Sequence, residues 1–118
     1  MPSLNMDGPY VFTREEIDKR VTRIQCGNYA LGKINKDNGN FIVCYVGRAD
    51  YDLNDRLKQH VGEPYTHFKY SYATSPKDAF EKECNNYHDW KNLHNKIHPD
   101  RPSDSKNWKC PRCNKFDT

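Results

Sequence analysis

The stretch 27–50, GNYALGKINKDNGNFIVCYVGRAD, decides the fold. Its two runs of β-branched and aromatic residues, 28–34 and 41–47, are separated by a polar segment that contains Asn38-Gly39, a pair typical of hairpin turns. The stretch therefore predicts an antiparallel β-hairpin.

The length of the hairpin loop determines where two tyrosines point. A three-residue loop, Asp37-Asn38-Gly39 with Gly39 left-handed, puts Tyr29 and Tyr45 on the same sheet face as diagonal neighbours. A two-residue turn puts them on opposite faces, because side chains alternate along a strand. We expect the three-residue loop.

Before the hairpin, residues 1–12 carry two prolines and a glycine and are predicted to be an irregular lead-in. The sequence Thr13-Arg14-Glu15-Glu16 has the spacing of a capping box, which predicts a helix from there to about Arg23. Ile17, Val21 and Ile24 form its apolar stripe.

After the hairpin, a short helix is predicted from Asp52 or Leu53 to Val61, with Leu53, Leu57 and Val61 buried. The alternation in 67–73 predicts a third strand. Ser75-Pro76 then starts a helix expected to reach about His94. The order predicts an α+β fold in which a small antiparallel sheet of about three strands is flanked by helices.

The 118 residues have room for one domain with a modest core. Within it, 1–25 is a lead-in and helix, 26–96 the main body, and 97–118 a tail resembling a metal-binding segment. Only 35% of the residues are hydrophobic and 30% are charged, so the core must rely on aromatics, including eight tyrosines. The formal charge of +3 permits an anionic partner without establishing one.

The sequence also sets an expectation for the compartment. No apolar run approaches the roughly 20 residues that span a bilayer, and the N-terminus lacks a secretory pattern. The cysteines are odd in number and irregularly spaced, which favours a reducing compartment over a disulfide framework. We therefore expect a soluble, cytoplasmic protein that makes no membrane contact.

Glu83 is unusual on the last predicted helix. It falls inside the stripe that should face the protein, together with Ala79, Phe80, Cys84, Tyr87 and Trp90. Burying a lone carboxylate costs several kcal/mol unless a cation meets it. The pattern leaves two interpretations open, a structural ion pair with Arg56 and a metal ligand.

In order, type and approximate spacing, these residues resemble the GIY-YIG nuclease family. Gly27-Asn28-Tyr29 lies on one strand, Tyr45-Val46-Gly47 on the next, Arg56 and His60 on the following helix, and Glu83 on a later one. The resemblance covers about 26–90. The chain differs in having Asn28 where the family usually has isoleucine, and in a longer hairpin loop.

The resemblance implies a metal-dependent endonuclease acting on nucleic acid, DNA more than RNA. Glu83 would bind one divalent cation, Mg²⁺ or Mn²⁺, and Arg56 would bind the scissile phosphate. Tyr29 would hydrogen-bond the attacking water or act as general base, which requires its pKa to be lowered by nearby cations. Tyr45 would position the water or the phosphate.

The resemblance also suggests secondary roles. His60 is a weaker candidate for proton transfer, and Arg48 and Lys58 are candidates for binding flanking phosphate. The short chain makes a partner protein that supplies specificity a plausible addition. The competing interpretation is a non-catalytic nucleic-acid-binding module, and a third is a zinc-stapled protein-interaction domain.

The tail contains Cys110-Pro111-Arg112-Cys113, which has the spacing of half a structural Zn²⁺ site. The pair could alternatively be two exposed thiols or, less readily, a redox pair. We favour Cys84 and His88, four apart on the long helix, as the other ligands, with His94 and His98 as rivals. A subgroup of the resembled family also ends in Cys-Pro-x-Cys.

Overall fold

The computed structural model describes residues 6–89 and residue 93. The elements are, in chain order, β1 (Asp7–Val11), α1 (Arg14–Arg20), β2 (Gly27–Ile34), β3 (Phe41–Ala49), α2 (Leu53–Gln59), β4 (His67–Tyr72) and α3 (Pro76–Asp89). The described chain is thus α+β, as the sequence predicts.

The sheet has four antiparallel strands in the order β1-β4-β2-β3, one more than predicted. The additional strand, β1, lies within the segment expected to be an irregular lead-in. Four of its five residues are exposed and only Tyr10 is half-buried, so the strand carries no apolar alternation. Its Pro9 is tolerated because β1 is an edge strand paired on one side only.

The loop that joins β2 and β3 is longer than predicted. The loop spans six residues, since Ile34 pairs with Phe41, and the predicted three-residue loop is wrong. Gly39 is left-handed as expected, with φ 74°. A ladder continued without interruption from this loop would pair Ala30 with Tyr45.

Instead, a bulge at Cys44 shifts the ladder by one residue, so that Gly32 pairs with Val43 but Leu31 pairs with Tyr45. Tyr29 pairs with Gly47 and therefore lies diagonally beside Tyr45 on the same face. The prediction that the two tyrosines share a face is confirmed, although the bulge rather than the loop length produces it.

The two sheet faces pack against different helices. Tyr29 and Leu31 belong to a core cluster with side chains of α1 and α2. The alternating positions Asn28 and Ala30 face α3, and the Asn28 Nδ2 donates to the backbone oxygen of Ala79 on that helix at 2.8 Å. Because β3 is the outermost strand beside β2, its edge is where groups from both faces can meet.

The helix boundaries correct several predictions. Thr13 caps α1 by accepting from the Glu16 backbone N–H at 3.2 Å, but the helix ends at Arg20 rather than about Arg23. Ile24 therefore leaves the stripe and is 86% exposed. Helix α2 ends at Gln59, two residues before Val61, which is half-buried.

Ser75 caps α3 as predicted, accepting from the Asp78 backbone N–H at 3.1 Å. The described helix ends at Asp89, and most of the expected extension to His94 lies outside the described residues. Within the part of the chain that is described, no helix has the length and apolarity needed to cross a membrane.

Candidate functional site

A cavity of about 500 Å³ opens at the β3 edge of the sheet. Its walls combine phenol, guanidinium and carboxylate groups from β2, β3, α2, α3 and the segment between β3 and α2. The lining residues are Tyr29, Tyr45, Arg48, Ala49, Asp50, Tyr51, Asp52, Asp55, Arg56, Gln59 and Glu83. Four predicted active-site residues, Tyr29, Tyr45, Arg56 and Glu83, are thus brought together.

Tyr29 reaches this cavity from the inner strand β2 by passing over Gly47 of β3. The two residues are sheet partners, and a Cβ atom at position 47 would overlap Cζ and Oη of the tyrosine. Glycine at 47 is therefore what allows the phenol to cross the outer strand. The Tyr29 ring is stacked beside Tyr45, with ring centroids 6.4 Å apart.

His60 lies behind the tyrosines and does not line the cavity. Its Nε2 is 2.8 Å from the Tyr29 hydroxyl, and its Nδ1 is 3.0 Å from Oε2 of Glu63. The turn between them depends on Gly62, whose φ of 105° is left-handed, and is closed by a bond from the Glu63 N–H to the His60 carbonyl at 3.1 Å.

Burial is the main cause of the pKa shift of each tyrosine in the cavity. Burial raises the pKa of Tyr29 well above its usual value of about 10, although the Arg56 charge opposes the rise. Burial likewise raises the pKa of Tyr45, and the Glu83 charge adds to the rise. In the protein without a metal ion, desolvation of Tyr29 thus outweighs the neighbouring guanidinium.

Glu83 is buried, as its place in the helical stripe predicts, with 8% of its surface exposed. Its Oε1 accepts from Nη1 of Arg48 at 2.6 Å, so the ion pair that the sequence left open as one of two interpretations is formed with Arg48 and not with Arg56. Arg48 lies on the α3 face of β3, with its guanidinium over the Phe80 ring, and its Nε also donates to Asp50 at 3.0 Å. Burial raises the pKa of Glu83 to about 7, although Arg48 lowers it.

Arg56 projects from α2 into the cavity wall on the tyrosine side. Its Nη1 donates to Oε1 of Gln59 at 2.9 Å. Its charge acts on both Tyr29 and Glu83, since it opposes the rise in the pKa of each. The guanidinium thus lies near both the phenols and the carboxylate, hydrogen-bonds the Tyr29 hydroxyl and Gln59, and has further donors that can face an anion in the cavity.

Other predicted site residues lie elsewhere. Lys58 is held by Asp18 of α1 at 2.5 Å and does not line the cavity. Cys84 is fully buried on α3 and the His88 ring packs edge-on against Tyr87. The proposed zinc ligands Cys110 and Cys113, and the rivals His94 and His98, lie outside the described residues.

Sequence reasoning missed three residues that shape the site. Asp50 pairs with Arg48, Glu63 pairs with His60, and Tyr51 stands at the cavity rim with 82% of its surface exposed. The spacing His60-Val61-Gly62-Glu63 carried a usable signal, because a glycine at the third position of a turn brings the first and fourth residues together.

The cavity is acidic in balance. Four carboxylates, from Asp50, Asp52, Asp55 and Glu83, line it against the two guanidinium groups of Arg48 and Arg56. Among residues 6–89 and 93, no cluster of three or more His, Cys, Asp or Glu side chains is arranged as a metal site.

The geometry defines an α+β protein with a polar cavity of tyrosine, arginine and glutamate at the edge of its sheet. No protein-family model matches the chain, and neither a curated protein sequence nor a solved structure is found similar to it.

Proposed function

We propose that the protein is a metal-dependent endonuclease of the GIY-YIG type, which hydrolyses phosphodiester bonds in nucleic acid, with DNA as the first substrate to test. The observation that carries the proposal is the convergence of Tyr29, Tyr45, Arg56 and Glu83 on one open cavity. Phosphodiester hydrolysis needs a positioned water, a cation to relieve charge on the phosphate, and a stabilised leaving oxygen.

Each group suits one part of this chemistry. The fork of donors on Arg56 matches a phosphate, and the Tyr29 and Tyr45 hydroxyls can hold a water against it. The Glu83 carboxylate fits one hydrated Mg²⁺ or Mn²⁺, which would supply Lewis-acid stabilisation of the phosphate charge. Arg48 can bind a neighbouring phosphate once it exchanges its bond to Glu83 for one to the substrate.

The acidic balance of the cavity gives a physical reason for metal dependence. Four lining carboxylates oppose two guanidinium groups, so a polyanion meets net repulsion at the cavity. A divalent cation would offset this charge. The exposed ring of Tyr51 at the rim offers a stacking surface for a base of the same substrate.

One observation favours the second candidate, a nucleic-acid-binding module without cleavage. Glu83 is already neutralised by Arg48 at 2.6 Å, which is what a purely structural ion pair requires. The two candidate functions differ in what they require of Glu83. A nuclease needs its carboxylate to bind a cation, whereas a binding module needs Glu83 only to pair with Arg48 inside the fold.

The deciding experiment incubates the protein with supercoiled plasmid and with duplex, single-stranded and branched DNA and RNA, each with Mg²⁺, Mn²⁺ or EDTA. We expect metal-dependent nicking that Glu83→Gln and Arg56→Ala abolish. Glu81→Gln is the matched control, because it makes the same change two residues away on α3, outside the cavity lining. Circular dichroism and thermal unfolding establish that each variant is folded.

Two outcomes would reject the nuclease. Plasmid that stays intact with either metal, while binding persists at low salt, would support the binding module. Cleavage that survives in the folded Glu83→Gln and Arg56→Ala variants would assign the activity to a contaminant or another site. The zinc proposal for Cys84, His88, Cys110 and Cys113 is tested separately, by measuring the zinc content of wild type and of Cys110→Ser.

A further inference from the structure

Two side chains, those of His60 and Glu63, are hydrogen-bonded in series behind Tyr29, on the side away from the cavity. The Tyr29 hydroxyl is 2.8 Å from Nε2 of His60, and Nδ1 of that ring is 3.1 and 3.0 Å from the two carboxylate oxygens of Glu63. Tyr29 is fully buried and His60 nearly so, whereas the Glu63 side chain is 45% exposed. The chain of contacts therefore runs from the cavity wall, through the core, to the surface.

The direction of these bonds follows from the chemistry of the groups. A carboxylate only accepts hydrogen bonds, so the proton on a neutral His60 must lie on Nδ1, facing Glu63. Nε2 then carries a lone pair and accepts from the Tyr29 O–H. The Tyr29 oxygen also accepts from the Arg56 guanidinium, and its remaining lone pair can take a proton arriving from elsewhere.

We infer that Glu63 is a positioning residue of the proposed nuclease, which holds His60 in the tautomer whose Nε2 receives the Tyr29 proton as the attacking water is deprotonated. The inference rests on the proposed function. Glu63 does not line the cavity, so it acts only through His60.

Transfer of the Tyr29 proton to His60 avoids the cost of forming a buried phenolate. Desolvation disfavours a free phenolate at position 29, so Tyr29 is a poor base if it must first lose its proton to solvent. If the proton passes to His60 as another arrives, the phenol stays neutral throughout. The positive charge then forms on the imidazole, next to the Glu63 carboxylate, in the arrangement by which a carboxylate stabilises an imidazolium.

The step balances without any further reagent. The water oxygen forms a bond to phosphorus and the bond from phosphorus to the leaving ester oxygen breaks. One water proton moves to the Tyr29 oxygen, the original Tyr29 proton moves to Nε2 of His60, and the leaving oxygen takes a proton from solvent. The imidazolium later releases its proton to solvent, so the products are a phosphate monoester and a hydroxyl group.

The local chain is built to place this carboxylate. The turn from His60 to Glu63 needs the left-handed Gly62. A hydrogen bond from the His60 N–H to the Leu57 carbonyl at 3.1 Å attaches His60 to the end of α2. The His60 ring is also packed against the Tyr45 ring, with centroids 5.2 Å apart. Rotation of the imidazole is thereby restricted, which leaves the tautomer to be set by Glu63.

The test combines a spectroscopic and a kinetic measurement on the full chain. The ¹⁵N shifts of His60 in the metal-free protein distinguish Nδ1–H from Nε2–H, and we expect the Nδ1–H form in wild type and loss of its predominance in Glu63→Ala. With plasmid and Mg²⁺, Glu63→Ala should lower kcat on the order of 10–100-fold, the usual effect of removing an outer-shell partner. KM should change less than about twofold. The kcat of Glu63→Gln should lie between those of wild type and Glu63→Ala.

Glu15→Gln is the control, since it changes an exposed carboxylate on α1 and should alter neither measurement. An Nε2–H tautomer in wild type would overturn the inference even if the protein cuts DNA. An unchanged kcat in Glu63→Ala would overturn it as well. Absence of cleavage by wild type would instead overturn the proposed function, and the ¹⁵N spectrum would still decide whether Glu63 sets the tautomer.

Discussion

Substituting Gly47 by alanine should displace the phenol on which the proposed site depends. The added methyl would overlap Cζ and Oη of Tyr29, a ring that is fully buried. Gly47 is not among the glycines with left-handed backbone, so alanine introduces no strain of its own and the substitution isolates the steric effect.

The magnitude follows from two opposing terms. Overpacking a core by a methyl group typically costs about 1–3 kcal/mol. Replacing glycine by alanine at a compatible backbone position returns about 0.4–1 kcal/mol by restricting the unfolded chain. The free energy of unfolding should therefore fall by about 1–2 kcal/mol, which for a chain of 118 residues lowers Tm by roughly 4–8 °C.

The assay is thermal unfolding of Gly47→Ala, Tyr29→Leu and the double variant. Leucine has no atoms at the positions of Cζ and Oη. Gly47→Ala should therefore lower the free energy of unfolding much less in the Tyr29→Leu variant than in wild type, with a coupling energy of at least about 0.5 kcal/mol. Gly39→Asn is the matched control, because a Cβ atom added at Gly39 would have nothing within 4 Å and asparagine tolerates the left-handed φ of 74°. That variant should leave Tm nearly unchanged.

Additive effects of Gly47→Ala and Tyr29→Leu would refute this reasoning, because they would show that the methyl group and the phenol do not compete for space. So would a Gly47→Ala protein that unfolds at the wild-type temperature. Cleavage provides an independent readout: displacement of the Tyr29 hydroxyl from Nε2 of His60 should lower kcat together with Tm.

Three further predictions concern stability. In EDTA, the free energy of unfolding of wild type relative to Glu83→Gln should fall as pH rises from about 4.5 to about 7. The pKa of Glu83 in the folded protein lies above its usual value, so the folded protein binds more protons than the unfolded chain in that window. A constant difference in denaturant titrations at several pH values would contradict it. Asn28→Ala removes a buried bond to the Ala79 carbonyl and should cost about 1 kcal/mol in urea unfolding, whereas an unchanged midpoint would show that the bond contributes nothing. Gly62→Ala forces alanine into a left-handed conformation and should cost about 1–2 kcal/mol while weakening the Glu63 contact to His60, and an unaltered Tm together with an unaltered His60 ¹⁵N spectrum would argue against it.

Much of the site could be predicted because it depends on local periodicity. The helical stripe of α3 predicted that Glu83 points inward, whereas the shared face of Tyr29 and Tyr45 was predicted from a loop length that proved wrong. Both predictions follow from the geometry of a single element or of one hairpin. The bulge at Cys44 was not predictable, yet the tyrosines align because the register of the buried positions determines the pairing.

The predictions that failed depend on contacts between elements. Arg48 is three residues from Tyr45 and so points to the opposite sheet face, where α3 brings Glu83 to it. Predicting that Arg48 pairs with Glu83 required knowing which face of the sheet α3 covers, and no local sequence pattern specifies that face. β1 was missed for a related reason, because a mostly exposed edge strand has no apolar alternation to detect.

The strands that carry the site groups differ in how firmly they are held. Tyr29 belongs to β2, which has a neighbour on each side, whereas Tyr45 and Arg48 belong to the outermost strand. Fraying at this edge of the sheet would therefore release β3 and leave the inner phenol anchored. Hydrogen exchange along β3 should therefore be faster than along β2.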